Sequence, residues 1–146
     1  MGLSRGGLTT KIQLATDAHG NPIDFEITGS EVQDATVAHK IINQAHRAEN
    51  VIADKGYDSD EIRRHIRNRS AIPIIPRRSN SMKPNPEFDS HLYKHRHLVE
   101  NLFARLKHLR GIATRLEKLA RNYRAIVCLA CSMIWLKLGE LNEDTP

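Results

Sequence analysis

With 146 residues, 40% hydrophobic and 27% charged, the chain has the size and composition of one ordinary globular domain with a buried core, which speaks against a multi-domain or disordered reading. Its 22 Lys and Arg against 17 Asp and Glu give a formal charge of +5 and a pI of about 9.5, a balance suited to a polyanionic partner. The N-terminus lacks the apolar run of a signal peptide, and the apolar stretch Ala125 to Leu136 falls short of the ~20 residues that cross a bilayer, so a cytoplasmic protein without a membrane partner is expected.

In chain order, Gly2 to Gly7 is glycine-rich and basic, and no Gly-Lys-Ser/Thr follows at the spacing of a phosphate loop. It reads as a flexible lead-in covering residues 1–7. Leu8, Thr10, Ile12 and Leu14 then alternate on one face until Asp17-Ala-His-Gly-Asn-Pro22 supplies turn residues, and Ile23, Phe25 and Ile27 alternate beyond it. A β-hairpin is predicted. Asp34 can cap a helix carrying Val37, Ile41, Ile42 and Ala45 at helical spacing, which gives out near Glu49.

A short buried strand, Val51-Ile-Ala53, leads to Asp54, and Lys55-Gly56-Tyr57 makes the exit turn. Carboxylates at strand ends suit chemistry, because the strand fixes the backbone while the following loop leaves room for a ligand. Asp58 with Glu61 reads as a capping box for a helix facing inward through Ile62 and Ile66, so Asp58 is assigned a structural role. Pro73 and Pro76 restrict Ala71 to Ile75 to an edge strand. Arg77 to Glu87 is loop, followed by a helix from about Asp89 to about Arg110 that Gly111 interrupts or ends, a last helix from about Arg115 to Leu138, and a frayed tail over 139–146. Strand, strand, helix, strand, helix, short strand and two helices imply a single α/β domain with helices on a mixed sheet. Cys128 and Cys131 have no second pair and no neighbouring His, and read as reduced core residues.

On the helix from Asp89 to Arg110, a turn of about 100° per residue places Tyr93, Arg96, Glu100 and Lys107 within an arc of about 60°, opposite Leu98, Leu102, Leu106 and Leu109. Residues 76–110 also concentrate eight cations against three anions. Two readings stay open on spacing alone. The stripe is either a solvated, salt-bridged face, or Glu100 joins Asp54 as a hard oxygen donor for Mg²⁺ or Mn²⁺, with Arg96 and Lys107 on phosphate. His91 and His95 share the i, i+4 spacing of a metal pair, but without the Glu of His-Glu-x-x-His a zinc hydrolase is disfavoured. Ser, His and Asp occur without a nucleophile-elbow motif, which leaves acyl chemistry unsupported.

Tyr93, Arg96, Glu100 and Lys107, at gaps of two, three and six residues, resemble the Tyr-Arg-Glu-Lys signature of DDE transposases from bacterial insertion sequences. Gly-Gly-Leu-Thr-Thr-Lys-Ile at 6–12, Ala-Asp-Lys-Gly-Tyr-Asp at 53–58 and Leu-Ala-Arg-Asn-Tyr at 119–123 resemble the same family, so the likeness covers nearly the whole chain. The resemblance implies a ribonuclease-H-like mixed sheet flanked by helices, in which three carboxylates bind two divalent ions to cut DNA at transposon ends and join it to a target. By position Asp54 is the second acid and Glu100 the third, both metal ligands. Tyr93, Arg96 and Lys107, with Arg77, Arg78 and Arg105 of the basic region, are expected at DNA.

In the family the first aspartate lies on a strand upstream of the Gly-Gly-Leu-Thr-Thr-Lys segment. The expectation is therefore the C-terminal part of a catalytic domain, lacking that first strand and inactive alone. An upstream-frame polypeptide or a second copy is the expected protein partner, with DNA as substrate and the nucleoid as location. The alternatives are a non-catalytic DNA-binding or regulatory fragment and the remnant of a decayed gene.

Overall fold

The computed structural model describes residues 2–4, 7–29, 32, 34–114 and 119–143. Their elements are β1 (Gly2–Ser4), β2 (Gly7–Thr16), β3 (Pro22–Gly29), α1 (Asp34–Gln44), β4 (Asn50–Ile52), α2 (Asp60–Asn68), β5 (Ile72–Ile74), α3 (Ser90–Tyr93), α4 (His97–Lys107), α5 (Arg110–Ala113) and α6 (Ala120–Glu143), with 3₁₀ turns at Lys55–Tyr57 and Lys94–Arg96. The class is mixed α/β, as the order of elements predicts. Among the described residues the strands form two small sheets, β1-β2-β3 and the parallel pair β4-β5, where one mixed sheet is expected. The packing also divides a chain whose length suggests one domain into two compact units: Met1–Ala15 with Asp24–His97, and Thr16–Ile23 with Leu98–Pro146.

Where the opening reads as a flexible lead-in, β1 pairs antiparallel with the start of β2 in the register Gly2 to Thr9, Leu3 to Leu8 and Ser4 to Gly7. The pairing gives the backbone donors and acceptors partners that a free segment would seek in water. In the first unit, a core forms from Ala38 and Ile42 of α1, Ile62 and Ile66 of α2, and Ala71 and Ile75 at the ends of β5, with Val51, Ala53 and Tyr57 packed against it. Helix α2 starts one residue later than a capping box at Asp58 would start it. Its cap is Ser59, whose hydroxyl accepts from Ile62 N at 3.1 Å.

The exit from α2 is a Schellman turn: Ser70 N–H bonds to Arg67 O at 2.9 Å and Ala71 N–H to Ile66 O at 3.3 Å. Ala71 and Ile66 make the accompanying apolar contact in the core. This geometry needs a left-handed residue, and Ser70 supplies it at φ 60°. Pro73, within β5, lacks the N–H that a central strand would use, yet Asn50–Ile52 still pairs with Ile72–Ile74 residue for residue.

In the second unit, the turn after β2 is organised by Asp17, whose Oδ1 accepts from His19 N and Asn21 N, both at 2.9 Å, and whose Oδ2 accepts from Asn21 Nδ2 at 3.0 Å. Trp135 of α6 donates its indole N–H to Pro22 O at 2.8 Å, tying the turn to the last helix. The helix boundaries differ from those read in the sequence. Helix α4 stops at Lys107, and Gly111 lies inside the short α5 rather than ending a helix. Tyr123 is 3% exposed and donates to Ile112 O at 3.0 Å, joining α5 to α6. The predicted start of α6 near Arg115 lies outside the described residues; the helix is described from Ala120 to Glu143, beyond the expected end at Leu138. Cys131 is buried and Cys128 exposed, so the core assignment holds for one of the two.

A left-handed residue with a Cβ costs roughly 1–2 kcal/mol, part of which the greater unfolded-state freedom of glycine offsets. Ser70→Gly should therefore raise stability by about 0.5 kcal/mol. A urea midpoint that rises at unchanged slope is the expected result, and a lower midpoint would mean that the hydroxyl outweighs the strain.

Candidate active site

The parallel ladder carries one residue past β4, where Ala53 N–H bonds to Ile74 O at 3.3 Å, and then releases the chain at Asp54. Asp54 has extended backbone and caps the 3₁₀ turn Lys55–Tyr57, its Oδ1 accepting from Gly56 N at 2.7 Å. Among the described residues that is the only hydrogen bond to this carboxylate, so Oδ2 is left to a ligand or solvent. A Cβ built on Gly56 would stand 2.8 Å from Asp54 Oδ1 and 3.0 Å from Asp34 Oδ2. The two carboxylates thus converge on the face of Gly56 that a side chain would occupy.

Asp34 is expected from the sequence only as a helix cap. Its Oδ1 accepts from Lys11 Nζ at 2.8 Å and Gln13 Nε2 at 3.4 Å, while Gln13 Oε1 accepts from the Tyr57 hydroxyl at 3.2 Å. Strand β2, the start of α1 and the 54–57 turn are joined through these side chains. Burial, and then the nearby charges of Asp34 and Asp54, raise the Tyr57 pKa well above the usual phenol value, which keeps its hydroxyl a neutral donor. Lys11, Gln13 and Tyr57 are not among the site residues that the sequence predicts. Lys11 and Tyr57 stand inside the segments 6–12 and 53–58 that resemble the family, whereas Gln13 reads as an ordinary strand residue.

The far end of the turn rests on Asp58, whose side chain is 4% exposed. Arg63, 1% exposed, donates to its Oδ1 from Nε at 3.1 Å and Nη2 at 2.9 Å. Arg77 Nη1 reaches the same oxygen at 3.0 Å, and Arg78 N–H bonds to Oδ2 at 2.8 Å. Burial pushes the Asp58 pKa up, but the bonds from Arg78 N–H, Arg63 and Arg77 together outweigh it and hold the carboxyl below its ordinary value.

The cations expected at DNA divide by environment. Arg77 is turned toward Asp58 and Pro84 O, and the Arg78 guanidinium lies on Lys55 O at 3.3 Å and Gly56 O at 3.2 Å. Arg96 stacks over the Tyr93 ring at 5.7 Å, and Tyr93 lies 5.3 Å from Phe88, ring centroid to centroid. The predicted stripe treats this stretch as one α-helix. The 3₁₀ turn Lys94–Arg96 instead eclipses residues three apart, which sets Arg96 over Tyr93 rather than at an angle from it.

Asp54, Tyr93 and Arg96 stand in the first unit; Glu100, Arg105 and Lys107 stand in the second. Glu100 is exposed in the first turn of α4, and Arg105 and Lys107 are exposed in its last turn, so each charge suits its end of the helix dipole. Leu102 and Leu106 are buried beneath them, while Leu109 leaves the predicted apolar wall to begin α5.

A family model, Transposase DDE domain, matches residues 3–135. The chain belongs to that family. It is 36% identical over 134 residues to a Brucella ovis protein named as the transposase for insertion sequence element IS6501, covering 89% of this chain and all of that one. It is 34% identical over 147 residues to a Burkholderia cepacia protein named as the transposase for insertion sequence element IS402, covering 92% of this chain and 67% of that one. No solved structure matches it. Family membership implies divalent-metal use in general. Asp54 offers the hard oxygen that such a cation prefers, with one oxygen held by a backbone N–H and the Asp34 carboxylate across Gly56, while among the described residues no group of three or more His, Cys, Asp or Glu side chains gathers as a metal cage.

Because the folded pKa of Asp58 is depressed, its contribution is fully present above the unfolded value of about 3.9 and is lost as pH falls below it. Asp58→Asn leaves Arg63 buried without its counter-charge and should cost about 3 kcal/mol at pH 7. The gap between wild type and variant should narrow below about pH 4. Denaturation at pH 7 and pH 3 tests both points, and a gap independent of pH would remove the charge from the explanation.

Proposed function

We propose that this chain acts in DNA transposition, with Asp54 and Glu100 as metal-binding carboxylates of strand cleavage and strand transfer on a ribonuclease-H-like scaffold. The observation that carries the reading is the Asp54 turn, where a strand end, a backbone N–H and a glycine present one open carboxylate oxygen in a family defined by metal-binding acids. Mg²⁺ or Mn²⁺, when bound, activates the attacking hydroxyl and stabilises the leaving oxygen of a phosphodiester.

The chain's own residues orient and bind. Gly56 N–H fixes one Asp54 oxygen and leaves the other for a ligand, and the neutral Tyr57 hydroxyl, held by Gln13, adds no negative charge beside it. Lys11 balances Asp34, so that two neighbouring carboxylates carry less repulsion. Arg105 and Lys107 are assigned to the phosphate backbone of transposon ends or target, Arg96 to a phosphate oxygen, and Tyr93 to holding the Arg96 guanidinium by its ring face. The support for Glu100 is its match to the family signature and its exposure on α4.

A second reading, DNA binding without catalysis, is favoured by the exposed cations of α4. One pair of measurements separates the two. In the assembly with an upstream-frame polypeptide expected above, Asp54→Ala and Glu100→Ala should each abolish Mg²⁺-dependent nicking or joining of transposon-end DNA while leaving DNA affinity within about twofold, since neither acid donates to phosphate. Nicking that survives Glu100→Ala would overturn the catalytic assignment. Lys107→Ala should weaken binding and lower the slope of log affinity against log salt by about 0.9, the value for one phosphate contact.

A further inference from the structure

We propose that Arg78 is the positioning residue of Asp54, fixing the orientation of the peptide that aims the carboxylate. The proposal rests on the reading of Asp54 as a metal-binding acid and goes beyond it, since the sequence marks Arg78 only as one of several cations expected at DNA. The Lys55–Gly56 peptide unit is gripped on both edges. Its N–H, on Gly56, donates to Asp54 Oδ1 at 2.7 Å, and its C=O, on Lys55, accepts from Arg78 Nε at 3.3 Å. In a trans peptide these groups point in opposite directions across a rigid plane, so a rotation that released one bond would swing the other.

Arg78 holds the next plane as well, through Nη2 to Gly56 O at 3.2 Å. Two donors of one planar guanidinium thus span consecutive carbonyls of a single 3₁₀ turn, whose own bonds are Tyr57 N–H to Asp54 O at 3.1 Å and Asp58 N–H to Lys55 O at 3.2 Å. A lone 3₁₀ turn is marginal, and its carbonyls carry partial negative charge that a fixed cation stabilises. The Arg78 backbone is itself anchored, its N–H on Asp58 Oδ2 at 2.8 Å, and side-chain substitution leaves that anchor in place. A lysine ammonium is a point donor on a flexible stem and cannot reproduce a fork across two carbonyls.

The test is a Mn²⁺ titration of the ¹⁵N-labelled chain, reading paramagnetic broadening of the Gly56 amide, the proton nearest the Asp54 carboxylate. Arg78→Ala should raise the Mn²⁺ concentration at half-broadening about tenfold, the lower end of what loss of an outer-shell partner costs a metal site, with Arg78→Lys between it and wild type. Arg67→Ala, which removes a cation paired with Glu87 away from the turn, should match wild type. An unchanged midpoint in Arg78→Ala, with broadening lost in Asp54→Asn, overturns the role of Arg78 alone. Broadening that persists in Asp54→Asn overturns the reading of Asp54 instead. Reduced DNA affinity at an unchanged Mn²⁺ midpoint would make Arg78 a phosphate contact and overturn positioning. Should the Arg78→Ala spectrum lose dispersion, Arg78→Lys, which keeps charge and backbone anchor, carries the same comparison.

Discussion

The buried ion pair of Asp58 and Arg63 is the constraint from which the first unit is built. Neither charge could be left alone at 1–4% exposure, because an unpaired ion in such surroundings costs several kcal/mol. All three guanidinium nitrogens of Arg63 and both oxygens of Asp58 therefore have partners. Arg63 also donates to Ile75 O at 2.7 Å and Asn85 Oδ1 at 3.1 Å, and Asn85 Nδ2 reaches Ile75 O at 2.9 Å. Helix α2, the end of β5 and the 76–87 loop meet at one guanidinium. The loop is thus held by the pair it helps to satisfy.

That arrangement changes what the basic composition means. A formal charge of +5 suggests cations free for a polyanion, and residues 76–110 look like their source. Yet Arg77 is committed to Asp58, Lys83 pairs with Asp60, and Arg78 lies on backbone carbonyls. The exposed cations Arg105, Lys107 and Arg110 lie instead along α4 and at the start of α5. Such groups retain hydration and mobility, as phosphate contacts do, whereas the first set stabilises structure at close range.

Much of the element order was legible because it depends on local pattern: the hairpin turn at Asp17, the apolar spacing of α1 and α2, and the helix around Leu102 and Leu106. What the sequence could not yield depends on partners far along the chain. Asp34 and Asp54 are 20 positions apart, and nothing in either neighbourhood announces that both face Gly56. Asp58 and Glu61 have the spacing of a capping box, but Ser59 takes the cap because Asp58 is held by three arginines. Tertiary demand overrode a preference worth only about 1 kcal/mol. Gln13 and Glu26 stand on the polar side of the hairpin's alternation yet are buried, Gln13 to hold Tyr57 and Asp34 and Glu26 to meet Lys40.

The segment Asp54-Lys-Gly-Tyr-Asp58 can therefore be read residue by residue as one device. The first Asp presents an oxygen and caps its own turn; the last Asp anchors the turn to the buried arginine. Gly stands where any side chain would collide with two carboxylates, so its need is steric rather than conformational. Tyr reaches back to strand β2, which couples the turn to the sheet. Lys55 contributes chiefly its carbonyl, which Arg78 holds, and its exposed side chain is the one least constrained by the local geometry. Of the five positions, the four with fixed chemistry are those where the side chain, or the lack of one at Gly56, is set by a neighbour inside the fold, and this selects residue types more narrowly than turn propensity alone would.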